Sequence, residues 1–477
     1  MSDTHFDFIV IGGGSAGYAA ARTAHSLGLR VAVVDGAAEL GGLCILRGCM
    51  PSKTLIESAD RYLTIRHAAE FGLKAQPLGV DVMAIRDRKC RLIAEFAGYR
   101  QGQLEDGRFG LYRGHASFVS QQEIEVLPRD GSASFMLTSR SFCITTGSVA
   151  SVPPIPGLVE TGYWTSDDVL DAAELPQSFA VLGGGAIALE MAHYLESIGR
   201  QVTLIQRGPQ FLTGLDPDCS AVIEKAYTRR GIKCHLGTRI QRVSERDGRK
   251  HIEYLHGENE CNVTVDQVLV AMGRDPATEG LNLHAAHIAL SGKKIAVQPT
   301  MQTSQPHIFA AGDVCSSLDV VHVAIQQGEI AARNAARLLK GEAASETMDY
   351  RLLLFGVFSH PQVAAVGAGE SELKSLSIPF VAASYPFADH GKSMVMGETD
   401  GFVKMLAHRE SGEILGATCV GPQATELIHE IVIAMHHRTT VQDFMIIPHY
   451  HPTLSEIWTY PAEECADQIT GLAEASF

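Results

Sequence analysis

The sequence has no excess of positive charge, no long hydrophobic run and no orderly cysteine array, and each absence removes a class of function. Its 39 lysines and arginines face 54 aspartates and glutamates, a formal charge of −15. Nucleic acid and anionic membrane surfaces are recognised through basic patches, so neither is expected as a partner. No window reaches the roughly 18 apolar residues of a membrane-spanning helix. The best run, Phe179 to Leu189, is short and rich in glycine. The opening "MSDTHFDFIVIGGG" has neither a basic leader nor a long apolar region, so no signal peptide is expected. The ten cysteines lack the spacing of a secreted disulfide framework, and a cytoplasmic location is expected. Low-complexity segments are missing as well. What remains is 45% apolar and 19% charged over 477 residues, the balance of a globular protein of several domains.

One stretch raises a question of its own: "GGLCILRGCMPSKTL", residues 41–55, holds Cys44 and Cys49. In a regular helix, residues five apart have Cα atoms about 8.7 Å apart. A disulfide tolerates roughly 7 Å, so pairing requires distorted backbone between the two. Gly48 offers that freedom, and Pro51 is expected to disrupt a regular helix through the stretch. A zinc site needs four ligands; no second close Cys or His pair stands nearby, and no metal is expected. Two unrelated buried thiols stay open as the alternative to a redox pair.

Two segments repeat one pattern. "FDFIVIGGGSAGYAAARTAHSLGLRVAVVD", residues 6–35, runs from a β-branched strand through Gly12, Gly14 and Gly17 into an alanine-rich helix and a strand ending on Asp35. "FAVLGGGAIALEMAHYLESIGRQVTLIQR", residues 179–207, places Gly183, Gly185 and Ala188 likewise. One glycine triplet could be a plain strand-to-helix turn. Two complete units point to two dinucleotides, each pyrophosphate seated on a helix N-terminus. Asp35 is an acid where an adenosine ribose is expected. The second unit ends on Gln206 and Arg207, with no carboxylate to repel a 2′-phosphate and a guanidinium able to pair with one, so that site leans towards NADPH. A solvated surface arginine is the alternative reading of Arg207.

Between the units, residues 83–105 read as a long polar helix, and "GHASFV" with residues 121–145 as short strands. "TTGSVASVPPIPG" (145–157) and "AMGRDPATEG" (271–280) read as punctuation. "IFAAGDV" (308–314) is a buried strand running into Gly312 and Asp313, an acid able to meet a ribitol or ribose hydroxyl. A helix follows at about 322–340. From Met348 strands alternate with long helices.

Together these motifs, with "HPQVAAVG" and "HPTLSE" near the end, resemble the flavin-dependent pyridine nucleotide–disulfide oxidoreductases, in family order over nearly the whole chain. The resemblance implies an α/β fold: two Rossmann-like dinucleotide-binding domains and a C-terminal α/β dimerisation domain. FAD would take residues 1–150 completed by 273–345, NAD(P) 151–272, and the dimer interface 346–477. It implies that Cys44 is the interchange thiol and Cys49 the thiol against the flavin. Lys53 would approach the flavin, with Glu190 as its partner on the nicotinamide side. His451 and Glu456 would form a base–acid dyad reaching the disulfide of the other subunit of a homodimer. Beyond the two glycine fingerprints, Asp35 and Arg207, cofactor contacts are implied at Gly42, Lys53, Ala116, Gly147, Gly273, Asp313 and Ala324.

The chain departs from every named branch. Leu43 stands where threonine is common beside the flavin phosphates. "PSK" matches dihydrolipoyl dehydrogenase and mercuric reductase, whereas glutathione reductases usually show "PKK". The tail has only Cys465 where mercuric reductase ends in a vicinal pair. Gln206 replaces the acid with which dihydrolipoyl dehydrogenase prefers NAD. The leading expectation is a small or carrier-bound dithiol substrate such as a lipoyl group. An NADPH-driven reductase of a small disulfide comes second, and mercury reduction or transhydrogenation further behind.

Overall fold

The computed structural model describes residues 4–316 and 318–470. Two compact units emerge: Met1–Thr54, Ala84–Ser151 and Gly273–Asp349 form one, and Leu55–Met83, Val152–Met272 and Tyr350–Phe477 the other. Among the described residues no helix is long and apolar enough to cross a membrane.

In the first unit, β1 (His5–Ile11), α1 (Ser15–Ser26) and β2 (Val31–Asp35) make a right-handed parallel unit. The chain continues through α2 (Gly42–Leu46), α3 (Cys49–Arg66) and α4 (Val82–Glu105) to β3 (Gly110–Ser120), β4 (Glu123–Pro128) and β5 (Phe135–Ile144). β1 is flanked by β2 and β5, both parallel to it. Its Phe8, Ile9 and Val10 are wholly buried, as a central parallel strand requires. β3 changes partner midway. Gly110 pairs with β2, and from Gly114 onward the strand pairs antiparallel with β4. A side chain at Gly114 would meet the Leu127 carbonyl at 2.6 Å, so only glycine allows the crossover. Strand Ile308–Ala310 adds to β5, and helix Val321–Leu339 packs against α1 where Gly328 meets the Ala16 carbonyl.

The redox stretch lies on two helices, not one. α2 ends at Leu46, Arg47 and Gly48 break the ladder, and α3 begins at Cys49. Gly48 is needed for closeness: a Cβ there would lie 3.0 Å from the Leu43 carbonyl and 3.2 Å from Cys44 Cα. The expectation that Pro51 disrupts a helix is corrected. It sits in the first turn of α3, where its missing N–H has no helical carbonyl to meet.

In the second unit a parallel sheet has the order Gln267–Val270, Ser178–Leu182, Gln201–Ile205, Lys233–His235. An antiparallel meander, Thr238–Arg246, Arg249–His256 and Asn259–Val265, follows in sequence. Residues 354–421 supply a five-stranded antiparallel sheet, covered by helices Ala424–His436 and Thr459–Thr470 over a core including Trp458, Phe387 and Ile431. The later turns of α3 are bolted to helix Ala186–Ser197. Asp60 meets the buried His193 at 2.7 Å, and Arg66 meets Glu196 at 3.2 Å, with Arg230 on the other Glu196 oxygen. Burial pulls His193 below the ordinary histidine range. His360 stacks on it at 6.0 Å and is lowered to about 4, by burial first and then by the charges of His193 and Arg230.

Lys404 is a second polar anchor. Its ammonium is 4% exposed and lies 2.7 Å from Asp216 and from Asp218, and 3.2 Å from Glu370. Asp216 is itself buried, so removing the cation strands a carboxylate. Lys404→Met should lower the unfolding free energy by about 3–5 kcal/mol in urea titrations. A change under about 1 kcal/mol would class it with surface ion pairs.

Candidate active site

The first glycine loop is built from approaches that no side chain permits. A Cβ on Gly12 (φ 106°) would strike the Thr145 carbonyl at 2.5 Å, and one on Gly17 would overlap the Gly12 carbonyl. Gly42 (φ 73°) brings a second segment in, where a Cβ would lie 2.5 Å from Gly14 Cα. The loop thus presents bare backbone at the N-terminus of α1, the shape and polarity a pyrophosphate needs. Asp35 turns out to hold the loop itself: Oδ2 accepts from Gly13 N at 2.7 Å and Oδ1 from Ala37 N at 2.8 Å.

The remaining residues expected at this dinucleotide fall in two places. Asp313 accepts from Ser148 Oγ at 2.6 Å, and that hydroxyl receives Arg274 Nε at 2.7 Å. Gly147 (φ 75°) and Gly273 (φ 112°) immediately precede Ser148 and Arg274. Ala324 lies against Gly312, whose Cβ would meet its methyl at 3.4 Å. Ala116 is buried in β3, paired with Val126.

Across the helix break, Cys44 and Cys49 are half-buried thiols. The neighbouring Cys49, then burial, holds the Cys44 thiol up, while the Lys53 charge opposes them. Such a thiol needs a base before it can attack. Lys53 Nζ reaches Ser52 Oγ at 3.4 Å on α3. Arg100, on α4, is a cation that no motif announced. Its guanidinium lies 4.1 Å over the Tyr18 ring, and burial pulls it below the usual arginine value while Tyr18 and Cys44 act the other way.

The second glycine loop repeats the first. A Cβ on Gly183 (φ 127°) would overlap the Ala271 carbonyl, and Gly185 caps helix Ala186–Ser197 in extended conformation. Gln206 folds back over Gly184, where a Cβ would come within 2.8 Å of its Cδ, and its amide donates to the Gln210 carbonyl at 3.3 Å. Arg207 is exposed, and no ion pair of its guanidinium occurs among the described residues. Glu190 is buried on the helix and accepts the Phe358 N–H at 3.0 Å, a backbone contact invisible in the sequence.

His451 Nδ1 lies 2.9 and 3.1 Å from the two Glu456 oxygens. The imidazole is 79% exposed and the carboxylate 12%. One nitrogen is thereby oriented and the other faces outward, the arrangement of a base awaiting a partner. His449 is different: its ring is buried between Glu430 Oε1, at 2.6 Å, and the Ile447 carbonyl, at 2.9 Å. His390 was not expected here. It is wholly buried, and its Nε2 lies 3.5 Å from Glu456 Oε1.

Comparison with known proteins shows the family. The model of the pyridine nucleotide-disulphide oxidoreductase family matches residues 6–328, and that of its dimerisation domain residues 355–462. A dihydrolipoyl dehydrogenase from Chlamydia muridarum is 33% identical over 460 residues, 96% of each chain. A mercuric reductase from Staphylococcus aureus is 32% identical over 446 residues, 92% of this chain and 79% of its own. The Cu(II) complex of the HOCl-induced flavoprotein disulfide reductase RclA from Escherichia coli superposes with a TM-score of 0.84 at 25% identity, covering 97% of this chain and 100% of that one.

Gly42→Ala puts a methyl where backbone already stands, at a φ that side chains avoid. The purified variant should lose most of its bound dinucleotide, read as the ratio of visible to ultraviolet absorbance. Wild-type retention would mean that the Gly14–Gly42 approach is not part of the cradle.

Proposed function

The chain belongs to the pyridine nucleotide-disulphide oxidoreductases, and we propose that within this family it exchanges electrons with a small or carrier-bound dithiol, as a dihydrolipoyl dehydrogenase does. It is an FAD-dependent oxidoreductase that also uses a pyridine nucleotide. The pair of thiols, Cys44 and Cys49, brought together across the helix break at Gly48 carries the reading. Bound FAD supplies a two-electron carrier between nicotinamide and dithiol. The glycine cradle, Asp313 and Lys53 would hold it, within a domain of residues 1–150 and 273–345; residues 151–272 would hold the nicotinamide nucleotide, with Glu190 on that side.

The chain's own residues then divide the thiol chemistry. His451 takes the proton of the incoming dithiol, and the substrate thiolate attacks the Cys44 sulfur of the Cys44–Cys49 disulfide. The Cys44–Cys49 bond breaks, Cys49 leaves as thiolate, and a mixed disulfide joins substrate to Cys44. The second substrate thiol attacks the substrate sulfur of the mixed disulfide and displaces Cys44, to which its proton passes, while His451 keeps the first proton. Glu456 keeps the imidazole oriented and steadies its positive form. Residues 346–477 would bring His451 to the partner's thiols, which fits its exposure and the dimerisation-domain match.

A second reading has its own support. Gln206 and the exposed Arg207 favour NADPH, and an NADPH enzyme would work as a reductase of a small disulfide. Mercury reduction is disfavoured, since Cys465 is buried with its sulfur 3.7 Å from the Met405 carbonyl. Steady-state assays with dihydrolipoamide, lipoamide and small disulfides, each with both nucleotides, decide between the two. Activity with none of them would overturn both.

Arg207→Ala should weaken NADPH more than NADH, because only NADPH carries a 2′-phosphate. A charge-assisted contact contributes roughly 1.5–3 kcal/mol, on the order of tenfold or more in affinity. Equal losses would remove the NADPH preference.

Cys44→Ser and His451→Ala should each be nearly inactive alone. Co-refolded in equal amounts they should recover about one quarter of wild-type activity, because one site in each mixed dimer is intact. A dyad serving its own chain's thiols predicts no recovery.

A further inference from the structure

We propose that His390 is a positioning residue for the His451–Glu456 dyad, a buried imidazole that faces the Glu456 carboxylate from the core and limits the negative charge it offers His451. The inference rests on the reading of His451 as the base of the thiol half-reaction.

Glu456 has two nitrogens converging on it from opposite sides of the water boundary. His451 Nδ1 approaches from the exposed side, at 2.9 and 3.1 Å. His390 Nε2 approaches from the core, 3.5 Å from Oε1; it makes no hydrogen bond at that distance, and its ring is wholly buried. Its other nitrogen, Nδ1, lies 2.9 Å from the buried hydroxyl of Ser393. The Tyr460 ring meets the imidazole edge-on at 6.4 Å, and Tyr385 stacks on Tyr460 at 4.0 Å while its hydroxyl donates to the Asp389 carbonyl. No described hydrogen bond other than these orients the ring.

The tautomer follows from this packing. Burial pulls His390 below the ordinary histidine range, although Glu456 pulls the other way. The Ser393 hydroxyl can donate to Nδ1, which places the ring proton on Nε2, facing Glu456. The groups that act electrostatically on His390 are Glu456 and, beyond it, His451; Asp389 and Lys392 flank it along the chain. A carboxylate faced by a second N–H dipole presents a less negative potential to its first donor. His390 therefore keeps the His451 imidazolium from being over-stabilised, so that it can return its proton within each turnover.

The test is a titration of His451 in the oxidised holoenzyme, followed by NMR of carbon-13-labelled histidine and assigned with His451→Gln. His390→Leu should raise the His451 midpoint by about one pH unit, because Glu456 then serves His451 alone. Ser393→Ala, which keeps the ring but frees its tautomer, should move it the same way by less. His390→Asn, with an amide N–H near the lost one, should bring the midpoint back towards wild type. The pH profile of dihydrolipoamide oxidation should shift in parallel. Unchanged midpoints in both His390→Leu and Ser393→Ala would overturn the positioning role. Full dihydrolipoamide activity in His451→Gln would instead overturn the base reading, and would leave the midpoint shifts to judge the His390–Glu456 contact alone.

Discussion

Backbone meeting backbone without a side chain between is the constraint on which the dinucleotide sites depend. Gly12 against Thr145, Gly17 against the Gly12 carbonyl and Gly42 against Gly14 place three chain segments closer than any Cβ allows. Each approach bares N–H groups at a helix end, where a phosphate's charge is stabilised by the peptide dipoles. The same device recurs at Gly48, where closeness to Leu43 and Cys44 lets one helix stop and the next start on the other cysteine. Phosphate cradle and thiol pair are two products of one steric rule.

This rule explains what could be read from sequence. A glycine needed for a close approach admits no substitute, so Gly12, Gly17 and Gly183 announce the strand–turn–helix units that the structure contains. The long polar helix expected at 83–105 is observed as Val82–Glu105, and the one expected at 322–340 as Val321–Leu339. Pro51 was misread because its effect depends on where in a helix it falls, and the break at Gly48 had already restarted the count.

The unread contacts share a different cause. His390 lies in "ADHGKSMVMG", which has no local signature, and it matters only because the fold brings it 3.5 Å from a carboxylate 66 positions later. The Phe358 N–H on Glu190 and the Arg100 charge at Cys44 are equally non-local. Buried polar groups find their partners through tertiary packing, which leaves no periodic trace. Asp35 adds a subtler case: its position is that of a ribose acid, yet its two observed bonds shape the loop.

The strand end at Gln206 and Arg207 has an evolutionary corollary. Val202, Leu204 and Ile205 are buried and bear the packing of their sheet, while Arg207, two residues beyond Ile205, is exposed and bears none. The charge of that edge can therefore vary among related chains while the sheet beneath it keeps its packing.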